Sequence, residues 1–101
     1  MFKHIVCFKF FDRAQAPIVK AKLESLVGKV EQLRSMECEV DELATSRSYD
    51  LVLIVAFDTI EAYKEYDIHP EHQIVRKYIQ TVRESSVAID YTFSGGRCGL
   101  V

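Results

Sequence analysis

The 101-residue chain has no tryptophan, only two prolines and only four glycines, and three of those glycines fall in the last seven residues. Residues 1–94 therefore read as one domain, large enough to bury a modest core without staples, and 95–101 as a Gly-rich tail. Neither sign of charge dominates: 13 Lys and Arg stand against 15 Asp and Glu, a formal net charge of -2. This balance gives no electrostatic case for nucleic acid or for an anionic membrane, and no run of like charge is long enough to form a tail. No apolar run approaches the roughly 20 residues of a membrane span, and repeats and low-complexity segments are absent. The three cysteines, Cys7, Cys38 and Cys98, are an odd number at no metal or redox spacing. Cys7 and Cys38 sit in alternating apolar segments as small core residues, and Cys98 lies in the tail as an exposed thiol. A reducing, cytoplasmic setting is expected, and a strand pattern beginning at once argues against a signal peptide.

What is present is strong periodicity. In 2–11, Phe2, His4, Val6, Phe8 and Phe10 share one face of a strand, with Lys3, Ile5, Cys7, Lys9 and Phe11 on the other. A helix is predicted from Pro17, a residue suited to a first turn, with Val19, Leu23, Leu26, Val27, Val30 and Leu33 keeping helical spacing. Residues 36–40 alternate Met36, Cys38 and Val40 against glutamates, a strand with one wet face, and 47–50 form a polar turn. Residues 49–57 are apolar on both faces, hence a strand covered on both sides. Asp58 and Glu61 have the form of a capping box, opening a helix through Ile60, Tyr63 and Tyr66. Pro70 disfavours helical geometry at His69, so a second helix starts there and buries Ile74, Val75, Tyr78, Ile79 and Val82. Residues 85–93 form the last strand, with Val87, Ile89, Tyr91 and Phe93 on one face and Ser86, Ala88, Asp90 and Thr92 on the other. The order is βαββαβ, which predicts an α+β, ferredoxin-like fold with a four-stranded antiparallel sheet and its helices on one face. Large apolar residues on both faces of the sheet predict a homodimer that pairs the uncovered faces.

The chemistry concentrates in "YDIHPEH" (66–72), which holds two of the three histidines. Tyr66 falls in the last turn before the break and His72 in the first turn after it, so a bend can bring both to one end of a helix–sheet cleft. The positive end of the second helix disfavours a charged His72, and a neutral imidazole is what a general base requires. The Tyr66 hydroxyl could donate to a developing oxyanion. The plainer arrangement has Tyr66 packing and His72 capping a helix. His4 adds a third point, with a strand-end histidine bonded to backbone as the commoner outcome. A metal site on His69 and His72, helped by Asp67 or Glu71, suffers from the intervening proline and lacks further ligands; His69 reads better as an N-cap or hinge.

The segments "KHIVCFKF", "YDLVLIVAFDTIEAYKEYDIHPEHQIV" and "AIDY", with the Y-x-x-H-P-x-H core as the most specific part, resemble the stress-responsive dimeric α/β-barrel (Dabb) domain family, in particular its plant olivetolic acid cyclase-like branch. The resemblance covers essentially the whole chain. It implies two ferredoxin-like protomers whose sheets form a barrel, with a small-molecule pocket between helices and sheet. It further implies cofactor-free polyketide cyclase-like aldol chemistry, with Tyr66 and His72 catalytic, His4 in the pocket, and Val6, Phe8, Leu53 and Val55 as its apolar wall. Departures from that branch are Leu26, where a pocket tyrosine stands, and Arg76 and Arg83, where residues are small or aromatic. Other members resembling this chain suggest a non-catalytic stress-associated homodimer that binds a small ligand or a protein. The related antibiotic-biosynthesis monooxygenases suggest a third role, without metal or flavin, although no motif for oxygen chemistry is present.

Overall fold

The alternation at the N-terminus becomes β1 (Phe2–Phe10), followed by α1 (Gln15–Glu24), β2 (Ser35–Val40), β3 (Leu51–Phe57), α2 (Ile60–Asp67), α3 (Pro70–Val82) and β4 (Arg83–Thr92). The structure, a computed structural model, describes residues 1–94; the Gly-rich tail and Cys98 lie outside the described residues. The four strands order as β2-β3-β1-β4, and all three neighbouring pairs are antiparallel. This is the ferredoxin-like arrangement, with the second crossover split into two helices.

The pleat decides which residues meet the helices. Phe2, Val6, Phe8 and Phe10 of β1 join Leu51, Leu53, Val55 and Phe57 of β3 in one buried cluster with Ala16, Val19 and Leu23 of α1, Tyr66 of α2, and Val75 and Ile79 of α3. On the other face, Ile5 stands opposite Ile54 and Ile89, and Cys7 opposite Val52 and Val87. Val87 and Ile89 are exposed and Val52 and Ile54 half-buried, so among the described residues nothing covers that apolar band. At one end of the sheet, buried Asp50 accepts the Phe10 N–H at 2.8 Å and a guanidinium N–H of Arg13 at 2.7 Å. Arg13 also donates to the Asp41 carbonyl at 2.6 Å, and so ties the 41–50 loop to the end of β1.

Three sequence expectations need correction. The first helix ends at Glu24 rather than running to Leu33. Beyond it the chain continues in tight turns, with Leu26 N–H bonded to the Leu23 carbonyl and Lys29 N–H to the Leu26 carbonyl. Gly28 takes a left-handed φ of 87° that no helix tolerates. Leu26 and Val30 are nevertheless buried while Val27 is 60% exposed, because successive turns preserve part of the periodicity. The cap of α2 is Thr59, whose hydroxyl accepts the Ala62 N–H at 3.1 Å; Asp58 instead pairs with Arg34 at 2.9 Å. Finally, Ile74 is 67% exposed, since it lies one residue, about 100° of helical arc, off the Val75–Ile79 stripe.

β4 begins at Arg83, directly at the end of α3, where the register with β1 slips. Lys9 pairs with Ser85, but Phe10 pairs with Arg83, so β4 carries one extra residue. Strict alternation would send Arg83 to the open face with Val87 and Ile89. The bulge turns it to the helix side instead.

Candidate active site

The His69–Pro70 step builds the site. His69 adopts extended geometry (φ -62°, ψ 135°), as a residue before proline must, and its ring Nδ1 accepts the Glu71 N–H at 3.1 Å as the cap of α3. The chain therefore turns between α2 and α3 and lays the His72 ring against Tyr66, with centroids 4.3 Å apart and planes tilted by 37°.

The protonation state of His72 follows from its partners. Its Nδ1 lies 3.0 Å from the Asp67 carbonyl, which can only accept, so Nδ1 carries the hydrogen and Nε2 keeps the lone pair. Burial lowers the His72 pKa below its ordinary 6.5, with Arg76 and His4 pushing the same way and the Asp67 contacts opposing. The ring is thus a neutral acceptor at physiological pH. Tyr66 is 1% exposed, and its hydroxyl has no hydrogen-bond partner among the described residues. Burial, reinforced by Tyr63 and Asp67, raises its pKa far above the ordinary 10, which holds it as a protonated donor.

Tyr63, one turn before Tyr66 on α2, packs its ring 4.8 Å from His4 and 5.4 Å from Phe2. His4 is bonded through Nδ1 to the Asp90 carboxylate rather than to backbone, the commoner arrangement for a strand end. The two residues are direct partners in the β1–β4 register, so the sheet itself brings them together.

These groups open on a cavity of about 200 Å³ between α3 and the sheet. His4, Tyr63, Tyr66 and His72 line one end, and Val6, Phe8 and Leu53 form its floor. Val55, expected in that wall, is 0% exposed within the core and does not line the cavity. Leu23 of α1 lines it instead, while Leu26 lies buried away from it. Arg76, Gln80, Arg83 and Ser86 line the far end. Spacing alone missed Tyr63 and Asp90, and named Asp67 only as a metal helper rather than as the carbonyl partner of His72. Tyr63 lies on the Tyr66 face of the helix, but the partnership of Asp90 with His4 requires the strand register. Among the described residues, no three His, Cys, Asp or Glu side chains gather as a metal site, and His69 is turned to its capping role.

Residues 2–93 match the family model of the stress responsive A/B barrel domain, Dabb. The chain belongs to that family. An uncharacterised protein of Streptomyces coelicolor is 36% identical over 78 residues, covering 72% of this chain and 80% of its own. Among solved structures, a dimeric protein of unknown function and ferredoxin-like fold from Bacteroides fragilis superimposes with a TM-score of 0.79 at 29% identity, over 91% of this chain and 95% of that one. The hydroxynitrile lyase of Passiflora edulis superimposes with a TM-score of 0.78 over 96% of each chain, but at 12% identity it shares the fold alone.

Proposed function

We propose that this Dabb domain binds a small carbonyl compound and acts on it by cofactor-independent acid–base chemistry of the polyketide cyclase-like, aldol type. His72 Nε2 takes a proton from the carbon next to the carbonyl, and the electron pair moves onto the carbonyl oxygen. The Tyr66 O–H donates to the oxygen as charge develops there. The enolate carbon then attacks a second carbonyl, and the imidazolium returns its proton to the new alkoxide. His4, held by Asp90, orients the substrate from the strand side.

The observation that carries this reading is the pairing of a buried hydroxyl donor, without a partner among the described residues, with a neutral imidazole, both at one cavity. An orphaned buried hydroxyl costs about 1–3 kcal/mol, and a substrate oxygen would relieve that cost. An apolar cavity of about 150 Å³ holds benzene, so about 200 Å³ suits a one-ring or short-chain substrate. The same modest volume also favours a second reading, a ligand-binding protein without a reaction. Deuterium incorporation from D₂O into the methyl group of an aryl methyl ketone, followed by NMR, separates the two. Enolisation requires exchange above background that depends on Tyr66 and His72; simple binding requires none.

The apolar band of Ile5, Val52, Ile54, Val87 and Ile89, uncovered among the described residues, supports a homodimer joined through that face, in line with the dimeric Bacteroides relative. The thiols of Cys7 and Cys38 are free, and burial first of all pushes Cys38 up to about 12. Thiols unpaired among the described residues fit a reducing, cytoplasmic setting. Among the described residues, no helix is long and apolar enough to cross a membrane.

A further inference from the structure

The cavity has two chemically different ends, and the acid–base reading uses only one of them. His72, Arg76, Gln80 and Arg83 follow one another at spacings of four, four and three residues. The first three lie on one side of α3, and Arg83, the first residue of β4, continues the line just past the helix end; all four line the cavity. From His72, Arg76 is one turn away, about 6 Å along the axis, and Arg83 lies beyond the last turn of α3. The sheet runs with the same polarity: His4 borders the Tyr66 end, whereas Ser86, the strand partner of Phe8, borders the arginine end.

Among the described residues, neither arginine is held by a short bond to a carboxylate, although Asp67 also lines the cavity. Arg83 has no carboxylate partner among the described residues; it donates only to the Ser86 hydroxyl, at 3.3 Å. Arg76 reaches the Asp67 carboxylate at 3.4 Å, a long contact between half-exposed groups that an incoming anion can replace. The β-bulge opposite Phe10 is what turns Arg83 inward, so its place at the cavity is built into the strand register.

We infer that the cavity takes an anionic substrate: a carbonyl compound that also bears a carboxylate, with its reacting carbon at Tyr66 and His72 and its carboxylate toward Arg76 and Arg83. This rests on the acid–base reading for the orientation of the ligand, but the anion site stands on the arginines alone. A planar carboxylate matches the fork of a guanidinium, which a neutral amide of the same shape cannot do.

The test compares para-acetylbenzoate with its neutral isostere para-acetylbenzamide, titrated into the full chain and followed by NMR at about 20 mM salt. The acid is expected to bind at least tenfold tighter than the amide, and the preference to shrink at about 300 mM salt. In an Arg76→Gln/Arg83→Gln double variant, shown folded by circular dichroism, the preference is expected to fall to about twofold or less. Equal affinity for the two compounds, a preference that the folded double variant keeps, or no binding of the acid at about 10 mM would overturn the assignment. The wild-type comparison and its salt dependence decide the matter even if the double variant does not fold. Carboxylate-selective binding without deuterium exchange would support the anion site while refuting the acid–base reading. Exchange with no carboxylate preference would do the reverse.

Discussion

Replacing Tyr66 with Phe should make the protein more stable. The ring packs 5.0 Å from Phe57 and 4.3 Å from His72, and phenylalanine keeps those contacts. Only the hydroxyl goes, and among the described residues nothing bonds it. A buried, unpaired polar group costs about 1–3 kcal/mol, and the lower end of that range gives a gain of about 1 kcal/mol. For a domain of this size that is a rise in Tm of about 4–8 °C. Urea and thermal unfolding of both proteins at equal concentration measure it, equal concentration mattering because the proposed dimerisation would couple to stability. Tyr66→Ala should instead lose about 3–5 kcal/mol by emptying the ring's place. Stabilisation with loss of reaction is the mark of a group held for function. If Tyr66→Phe loses more than about 1 kcal/mol, the hydroxyl has a structural partner and the reasoning fails.

His72 carries a pH signature. Burial lowers its folded pKa below 6.5, so between those two values the unfolded chain binds more protons than the native one. Stability is therefore full above pH 6.5 and falls as pH drops through that window; a His72→Gln variant should show a flatter urea midpoint from pH 7.5 to about 5. Any exchange activity should rise through the same low pKa and be level by pH 7. Asp50→Ala strands the buried Phe10 N–H and one bond of Arg13, and should cost about 3 kcal/mol in urea unfolding; a loss under about 1 kcal/mol would show that this contact does not hold the loop. Ile54→Asp or Ile89→Asp places a charge in the apolar band and should dissociate or unfold the dimer. Light scattering that finds the wild type monomeric at micromolar concentration would refute the dimer outright.

Much of this architecture was legible in local pattern. The period-two faces of β1, the two-sided apolar run of β3 and the His69–Pro70 break each follow from a single short-range rule. Errors arose where two local rules competed. Asp58 and Thr59 are both good caps, and the choice fell to Thr59 while Asp58 paired with Arg34. Leu26 and Val30 keep helical spacing through a region of turns, so periodicity overran a helix that Gly28 cannot continue. The site was half legible. Tyr66 and His72 are brought together by the chain between them, which a sequence displays. His4 with Asp90, and Arg83 at the cavity, depend on pairing between strands more than 70 residues apart in sequence and on one bulge, which no local pattern encodes. Val55 failed as a wall residue because it is sealed within the core cluster between sheet and helices.

The most direct test of the acid–base claim is deuterium exchange into an aryl methyl ketone at pH 7.5, measured for the wild type, Tyr66→Phe and His72→Ala. The wild type should exchange at least tenfold above the buffer rate, and both variants should return to that rate while staying folded. A wild type no faster than buffer, or variants as fast as the wild type, would contradict the account.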